Sequence, residues 1–318
     1  MLKALYIKPK SPVREVLERD EIERLFRSGD GTLWIDLETS TDAERELLVS
    51  LCGFHRMAVD QCVSATNHPR PTDYGDYLYL IFHGVKSKLP ISTEEVDVFL
   101  GTRLLVSYHA GPVAAIREAW KRCLEVGPLM ERGPDRVLAE ILDDIADEYL
   151  AIMEAFDEGI DDIEDRLFKH ASRPALREIF AMKKDILHLR RVVGPQREVL
   201  NRLARAEFRV VSKTEAILFR DVFDRVYRVA ETLESFRDVL SSATEVYLTV
   251  VSNRTNEIVK VLTVFSIILM STSLLAGLYG MNISLPFADK PYAFWGLLGT
   301  MGALAGALLL YFRRRRWL

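Results

Sequence analysis

The sequence predicts an α/β domain, then long stalk-like helices, then a C-terminal pair of membrane-crossing helices. Three observations carry this. The first hundred or so residues alternate short β-branched and aromatic runs with helical stretches. No proline falls between Pro195 and Pro286 and no glycine between Gly194 and Gly277, so about 80 residues lack either helix breaker. Two uncharged apolar runs of about 19 and 21 residues lie near the C-terminal end, each long enough to cross a hydrocarbon core as a helix. The divisions that follow are residues 1–135, 136–255 and 256–318, with spans at about 261–280 and 292–312.

In the first division "ALYIK", "TLWIDLE", "YLYLIFHGV" and "EVDVFL…RLLVSYH" read as strands, and "DAERELLVSLCGF" and the stretch around "MAVDQCV" as helices. From about Val113 the pattern is helical. The long acidic amphipathic stretch from Asp135 to His170 reads as a helix with a solvated acidic face. A break falls near "ARAEFRVVSKTEA", where Ser212 to Glu215 fits a capping box that starts a new helix. From Val222 the apolar residues step by fours and threes through Val226, Val229, Leu233, Phe236, Leu240, Ala243, Tyr247 and Val250, a heptad seam. Packing against the preceding helix and self-association both remain open for it. No breaker separates this helix from the first span, so Ser212 to Gly280 as one helix would measure about 100 Å.

Lys260 precedes the first span and Arg313 to Arg316 follow the second, while the connecting loop has only Asp289 and Lys290. The positive-inside rule places both termini in the cytoplasm and the loop outside, in a multi-pass protein of the inner membrane. Within the first span a helical stripe runs Asn256, Val259, Leu262 or Thr263, Ser266, Met270, Ser273 and Gly277, mixing an amide, hydroxyls and apolar groups. Two spans cannot enclose a pore; several copies around an axis could, with this stripe inward. The second span carries Gly296, Gly299, Gly302 and Gly306, a spacing that lets helices approach closely.

Composition narrows the function classes. Residues 1–255 carry a charge of about −8 and the remainder about +4, a poor surface for nucleic acid. Cys52, Cys62 and Cys123 form no zinc spacing, and the six histidines are scattered. No phosphate-binding loop, nucleophile elbow or dinucleotide fingerprint occurs, so no enzyme site is expected.

Tyr279-Gly280-Met281-Asn282, closing the first of two C-terminal spans, resembles the CorA family of magnesium channels, whose signature is Gly-Met-Asn. "LFRDVFDR" from Leu218, "SNRTNEIVKVLTVFSIIL" from Ser252, "GPQREVLNRL" from Gly194, the terminal "YFRRRRWL", and "WIDLE" with "GFH" resemble family segments along nearly the whole chain. The resemblance implies a homopentameric funnel, with membrane lipid and divalent cations as its other partners, Mg²⁺ as both cargo and regulatory ion, and no cofactor. It implies an external filter at Gly280, Met281 and Asn282, and Asn256 at the cytoplasmic mouth. Val259, Leu262 and Met270 would form an apolar gate, with Ser266 on the same pore-lining face and Ser273 and Gly277 lining the outer half. It implies gating by cytoplasmic Mg²⁺, through Asp221, Asp143 and the pair Asp60-Gln61.

The chain departs from the family pattern in places. Asp60-Gln61 stands where Glu-Asp is usual, which shortens one carboxylate and neutralises the other. Ser271 replaces a common proline and Ser273 a threonine, and the outer loop lacks the common Met-Pro-Glu-Leu. The resemblance implies Mg²⁺ influx down the electrochemical gradient, with Co²⁺ and Ni²⁺ as further cargo. Two alternatives stand beside it: a zinc transporter of the same superfamily, with or without proton coupling, and a membrane-tethered coiled-coil scaffold. The intact Met281 favours Mg²⁺, since zinc-transporting relatives often vary that residue.

Overall fold

The computed structural model describes residues 2–39, 41–63, 69–88, 90–126, 128–169, 172–281, 292–315 and 317. The elements in order are β1 (Leu2–Ile7), β2 (Arg14–Val16), α1 (Arg19–Ser28), β3 (Thr32–Glu38), α2 (Asp42–Ser50), α3 (Arg56–Val63), β4 (Thr72–Asp73), β5 (Tyr77–Lys88), β6 (Ile91–Gly101), β7 (Leu104–His109), α4 (Ala114–Glu125), α5 (Pro128–Glu131), α6 (Pro134–Lys169), α7 (Arg173–Ala204), α8 (Ala216–Tyr279) and α9 (Ala293–Arg314). The expected fold class holds: an α/β N-terminal domain, a long helix and two C-terminal apolar helices. Two compact units result, one of residues 1–166 with 173–242, the other of residues 167–172 with 243–318.

The sheet of the first unit runs β2-β1-β3-β7-β6-β5-β4, antiparallel except for the parallel pair β3–β7. One face packs Tyr6, Ile35, Leu37, Tyr79, Ile81, Phe99 and Val106 beneath Ile22, Leu47, Leu48, Ala58 and Val59 of α1, α2 and α3. On the other, Trp34 meets Trp120 of α4 at 4.9 Å between ring centroids. The "GFH" segment sets the entry to α3. Gly53 turns at φ +70°, Phe54 stacks on Phe99 at 4.3 Å, and the His55 amide donates to Tyr77 Oη at 2.8 Å.

Three elements fall outside the sequence expectation: α1 and the edge strands β2 and β4. Six of the ten residues of α1 are charged, so its apolar face is only Ile22, Leu25 and Phe26. The left-handed Gly29 after it, at φ +66°, is the readable stop signal.

Among the described residues five buried polar residues lie in the sheet: Asp36, His83, Asp97, Ser107 and His109. Asp97 accepts from Tyr79 Oη at 2.5 Å, and burial pushes its carboxyl up to about 6, against the lowering effect of that bond. Burial, with His188 nearby, pushes His83 down to about 4. The backbone of His83 ties β5 to the helices: its amide donates to Gln196 Oε1 at 3.1 Å and its carbonyl accepts from Tyr149 Oη at 2.6 Å. Gln196 Nε2 closes the triangle on Tyr149 Oη at 2.8 Å. This gives "GPQREVLNRL" a structural role in joining α7, α6 and β5.

The helical part settles the seam. Val222, Val226, Val229, Leu233, Phe236 and Leu240 are all buried within this single chain. Phe236 meets Phe156 of α6 edge to face, Arg190 of α7 pairs with Glu234, and Lys183 donates to Ser241 Oγ at 3.1 Å. Gly159 permits close packing of α6 and α7: a Cβ there would sit 2.7 Å from Met182 Cε. The seam therefore packs inside the chain over these residues. The predicted capping box is half formed. Glu215 N donates to Ser212 Oγ at 3.2 Å, but Ser212 N donates to Asp135 Oδ2 at 2.9 Å rather than to Glu215. The Glu215 carboxylate turns to Arg136 and Arg132 instead, and α8 begins at Ala216.

Candidate functional site

In the second unit α8 and α9 each contain a stretch long and apolar enough to cross a membrane, almost wholly uncovered by the rest of the chain. Every residue from Val251 to Leu262 is exposed. Of the stripe, Val259, Leu262 and Met270 are 52%, 64% and 71% exposed, and Asn256, Ser266, Ser273 and Gly277 are exposed as well. Phe265, Leu269 and Leu274 beside it are also exposed, so exposure alone does not single out one face.

Hydrogen bonding does. Thr263 Oγ1 donates to Val259 O at 2.7 Å, Ser271 Oγ to Ile267 O at 2.7 Å and Thr272 Oγ1 to Ile268 O at 2.9 Å. These hydroxyls are spent on their own helix, the usual state of Ser and Thr in a span. All three are half-buried, on the side of Val264, which is 1% exposed. Among the described residues the side chains of Ser266, Ser273 and Asn256 have no hydrogen-bond partner. Of the five hydroxyls from Thr263 to Ser273, the two left for water are Ser266 and Ser273, both of the stripe.

At the end of α8, Gly280 N donates to Ala276 O at 2.9 Å and Met281 N to Leu278 O at 3.4 Å. A Cβ at Gly280 would lie 3.3 Å from Ala276 O, a tight contact that favours glycine where the chain closes on its own last turn. Met281 is exposed, and Asn282 lies outside the described residues. Cβ atoms built on Gly296, Gly299, Gly302 and Gly306 of α9 would meet nothing within 4 Å, so within one chain these glycines permit no close helix approach.

The four residues expected to sense Mg²⁺ fall in two places of the first unit. Asp60 and Gln61 lie on α3, Asp60 exposed. Asp143 and Asp221 line a cleft between α6 and α8 together with Arg136, Glu140 and Arg225. Arg225 brings the two acids together: its Nη1 lies 3.0 Å from Asp143 and 2.7 Å from Asp147, and its Nη2 lies 2.9 Å from Asp221. Burial and the neighbouring acids raise the Asp143 carboxyl above its ordinary range, and Arg225 opposes them. Nearby, Arg122 of α4 holds Asp144 at 2.6 Å and Glu140 at 3.3 Å, and Arg136 holds Glu140 at 2.5 Å. Sequence reasoning missed these arginines, although Asp221 and Arg225 are spaced as an i, i+4 ion pair. Among the described residues no group of three or more His, Cys, Asp or Glu is arranged to hold a metal ion. The donor set of one chain therefore does not fit a divalent ion here.

A sequence model of the family described as "CorA-like Mg2+ transporter protein" matches residues 29–314. The chain is 29% identical over 304 residues to the protein YfjQ of Bacillus subtilis, with 95% of each chain covered. It is 28% identical over 304 residues to the cobalt/magnesium transport protein CorA of Thermotoga maritima, covering 92% of this chain and 85% of that one. In structure it is similar to the CorA magnesium transporter of Methanocaldococcus jannaschii, with a TM-score of 0.85 over 99% of this chain and 98% of that one at 22% identity, a likeness of fold.

Proposed function

Since the chain belongs to the CorA-like Mg²⁺ transporter family, we propose that it forms a channel admitting Mg²⁺ down its electrochemical gradient, with Co²⁺ and Ni²⁺ as further cargo. It is a divalent cation transporter and not an enzyme, a membrane protein with a large soluble α/β part. Copies of the chain, five by family pattern, surround an axis in the inner membrane with both termini cytoplasmic. The face of α8 carrying Asn256, Ser266 and Ser273 turns to that axis. The observation that carries this reading is the division of polar groups on α8. Those of the stripe have no partner among the described residues, whereas Thr263, Ser271 and Thr272 bond their own backbone.

The chemistry follows from the ion. Mg²⁺ demands octahedral oxygen coordination and sheds water reluctantly. A ring of Asn282 amide oxygens and Gly280 carbonyls accepts hydrogen bonds from the ion's water shell without stripping it. Neutral oxygens hold the ion weakly enough to release it. Val259, Leu262 and Met270 supply the apolar constriction that closes by dewetting, and Asn256 the polar ring at the cytoplasmic mouth. Ser273 and Gly277 leave room for a hydrated ion in the outer half.

The test is flux. Purified protein in liposomes with an internal Mg²⁺-sensitive dye and an inside-negative potential is expected to admit Mg²⁺, and Asn282→Ala to lose at least about tenfold of that rate, the loss of a hydrogen-bonding ring around the ion. Zinc entry only under a proton gradient, with no Mg²⁺ entry, would replace this reading with a coupled zinc carrier. Flux of no ion at all would leave a membrane-tethered scaffold.

A further inference from the structure

We propose that Arg225 is a built-in counter-cation, which clamps α6 to α8 where a regulatory divalent ion would otherwise be needed. The clamp therefore holds without cytoplasmic Mg²⁺. The inference deepens the channel reading and rests on it only for the consequence at the gate.

The geometry is that of a fork. One guanidinium engages three carboxylates on two helices: Asp143 and Asp147 of α6 through Nη1, at 3.0 and 2.7 Å, and Asp221 of α8 through Nη2, at 2.9 Å. A planar fork with fixed donors suits carboxylates better than a point charge, and a guanidinium keeps its charge at any physiological pH. The acids beside it are also taken. Glu140 is shared between Arg136 and Arg122, and Asp144 is held by Arg122. All five carboxylates of this patch thus lie within 3.3 Å of an arginine nitrogen. A Mg²⁺ ion needs six oxygens. To recruit Asp143 or Asp221 it must compete with the charge of Arg225 already paired to both, and the α3 pair offers only Asp60 and the neutral Gln61. Two features of this chain therefore weaken a divalent sensor: an amide in place of one acid, and a guanidinium already seated among the others. At the gate, the consequence is a closed state that responds little to physiological cytoplasmic Mg²⁺.

Hydrogen exchange on the full-length protein in nanodiscs tests this without using flux. Amides of α6 around Asp143 and of α8 around Asp221 are followed from zero to millimolar Mg²⁺ in wild type, Arg225→Gln and Arg225→Lys. In wild type, protection is expected to be high without Mg²⁺ and unchanged by it. In Arg225→Gln it is expected to fall without Mg²⁺ and to return as Mg²⁺ is added. In Arg225→Lys, which keeps the charge, most of the wild-type protection is expected to remain. Unchanged protection of the β3 and β7 amides shows that the variants are folded. Wild-type protection that itself rises with Mg²⁺ to the level reached by Arg225→Gln would overturn the proposal, as would an Arg225→Gln protein indifferent to Mg²⁺. If Mg²⁺ flux is absent altogether, the channel reading fails while these exchange results still decide whether Arg225 is the clamp.

Discussion

The two halves of α8 obey one periodicity and meet different fates. From Val222 to Leu240 the residues spaced by threes and fours are buried, and the charges around them find partners on α6 and α7. From Val251 to Leu262 every residue is exposed, and the equivalent spacing through Val259, Leu262, Ser266, Met270 and Ser273 stays open. A helical stripe in a sequence therefore marks a face that something must cover, without saying what. In the first half the chain itself covers it. In the second, apolar side chains as exposed as Leu262, Phe265 and Met270 require lipid or further copies of the chain.

The largest test of that difference places a charge on each half. Leu233 is fully buried, and Leu233→Asp puts an unpaired carboxylate into the helix core, at a cost of more than about 4 kcal/mol. Loss of the cooperative thermal transition of the first unit, followed by circular dichroism, is the expected outcome. Leu262→Asp, at a position 64% exposed, is expected to leave that transition in place and to alter ion flux instead. If both variants melted alike, the contrast between the halves would be wrong.

The next test uses pH, because the buried Asp97 and His83 belong to the first unit while neither span contains a charged residue or histidine. Asp97 has a folded pKa raised from 3.8 to about 6, so its contribution favours folding at low pH and is lost as pH rises through about 6. His83 is lowered from 6.5 to about 4, so its contribution is present above 6.5 and is lost as pH falls toward 4. Each spans roughly two pKa units, or about 3 kcal/mol. Between pH 4 and 6 the two oppose, and the wild-type stability profile is expected to be nearly flat there. Asp97→Asn unmasks His83, so stability drops on acidification. His83→Gln unmasks Asp97, so stability rises. Denaturant melts across this range check both slopes, and matching slopes in the two variants would refute the assignment.

What could be read in the sequence follows from how local each signal is. The strands at "TLWIDLE" and "YLYLIFHGV" and the two uncharged spans are continuous patterns, and each becomes the expected element. Helix α1 was hidden because only Ile22, Leu25 and Phe26 face the core, and β2 because it buries Val16 alone. The Arg225 cluster was half legible. Asp221 and Arg225 are four residues apart, but Asp143 and Asp147 arrive from a helix about 75 residues earlier, a tertiary fact with no local trace. The same holds for the hydroxyls of the first span. The sequence shows five Ser and Thr from Thr263 to Ser273, while only the structure separates those bonded to their own helix from those left free.

That separation supports the smallest and sharpest prediction. Removing a hydroxyl already bonded to its own helix takes nothing from an ion's path, and surface changes of this kind stay within about 0.5 kcal/mol. Thr272→Val and Ser271→Ala are therefore expected to leave Mg²⁺ flux within about twofold of wild type, since a back-bonded hydroxyl adds little to a helix. Ser273 has no partner among the described residues and lies on the stripe, one position from Thr272. If its hydroxyl faces the water around the ion, Ser273→Ala loses one hydrogen bond per copy around the axis, and flux should fall by roughly three- to tenfold, the equivalent of about 1 kcal/mol. Neighbouring positions of similar size would then differ clearly in transport while barely differing in stability. Liposome flux with thermal melts on the same preparations reads both. Flux lost in Thr272→Val but kept in Ser273→Ala would rotate the pore-facing side of α8 away from Asn256, Ser266 and Ser273.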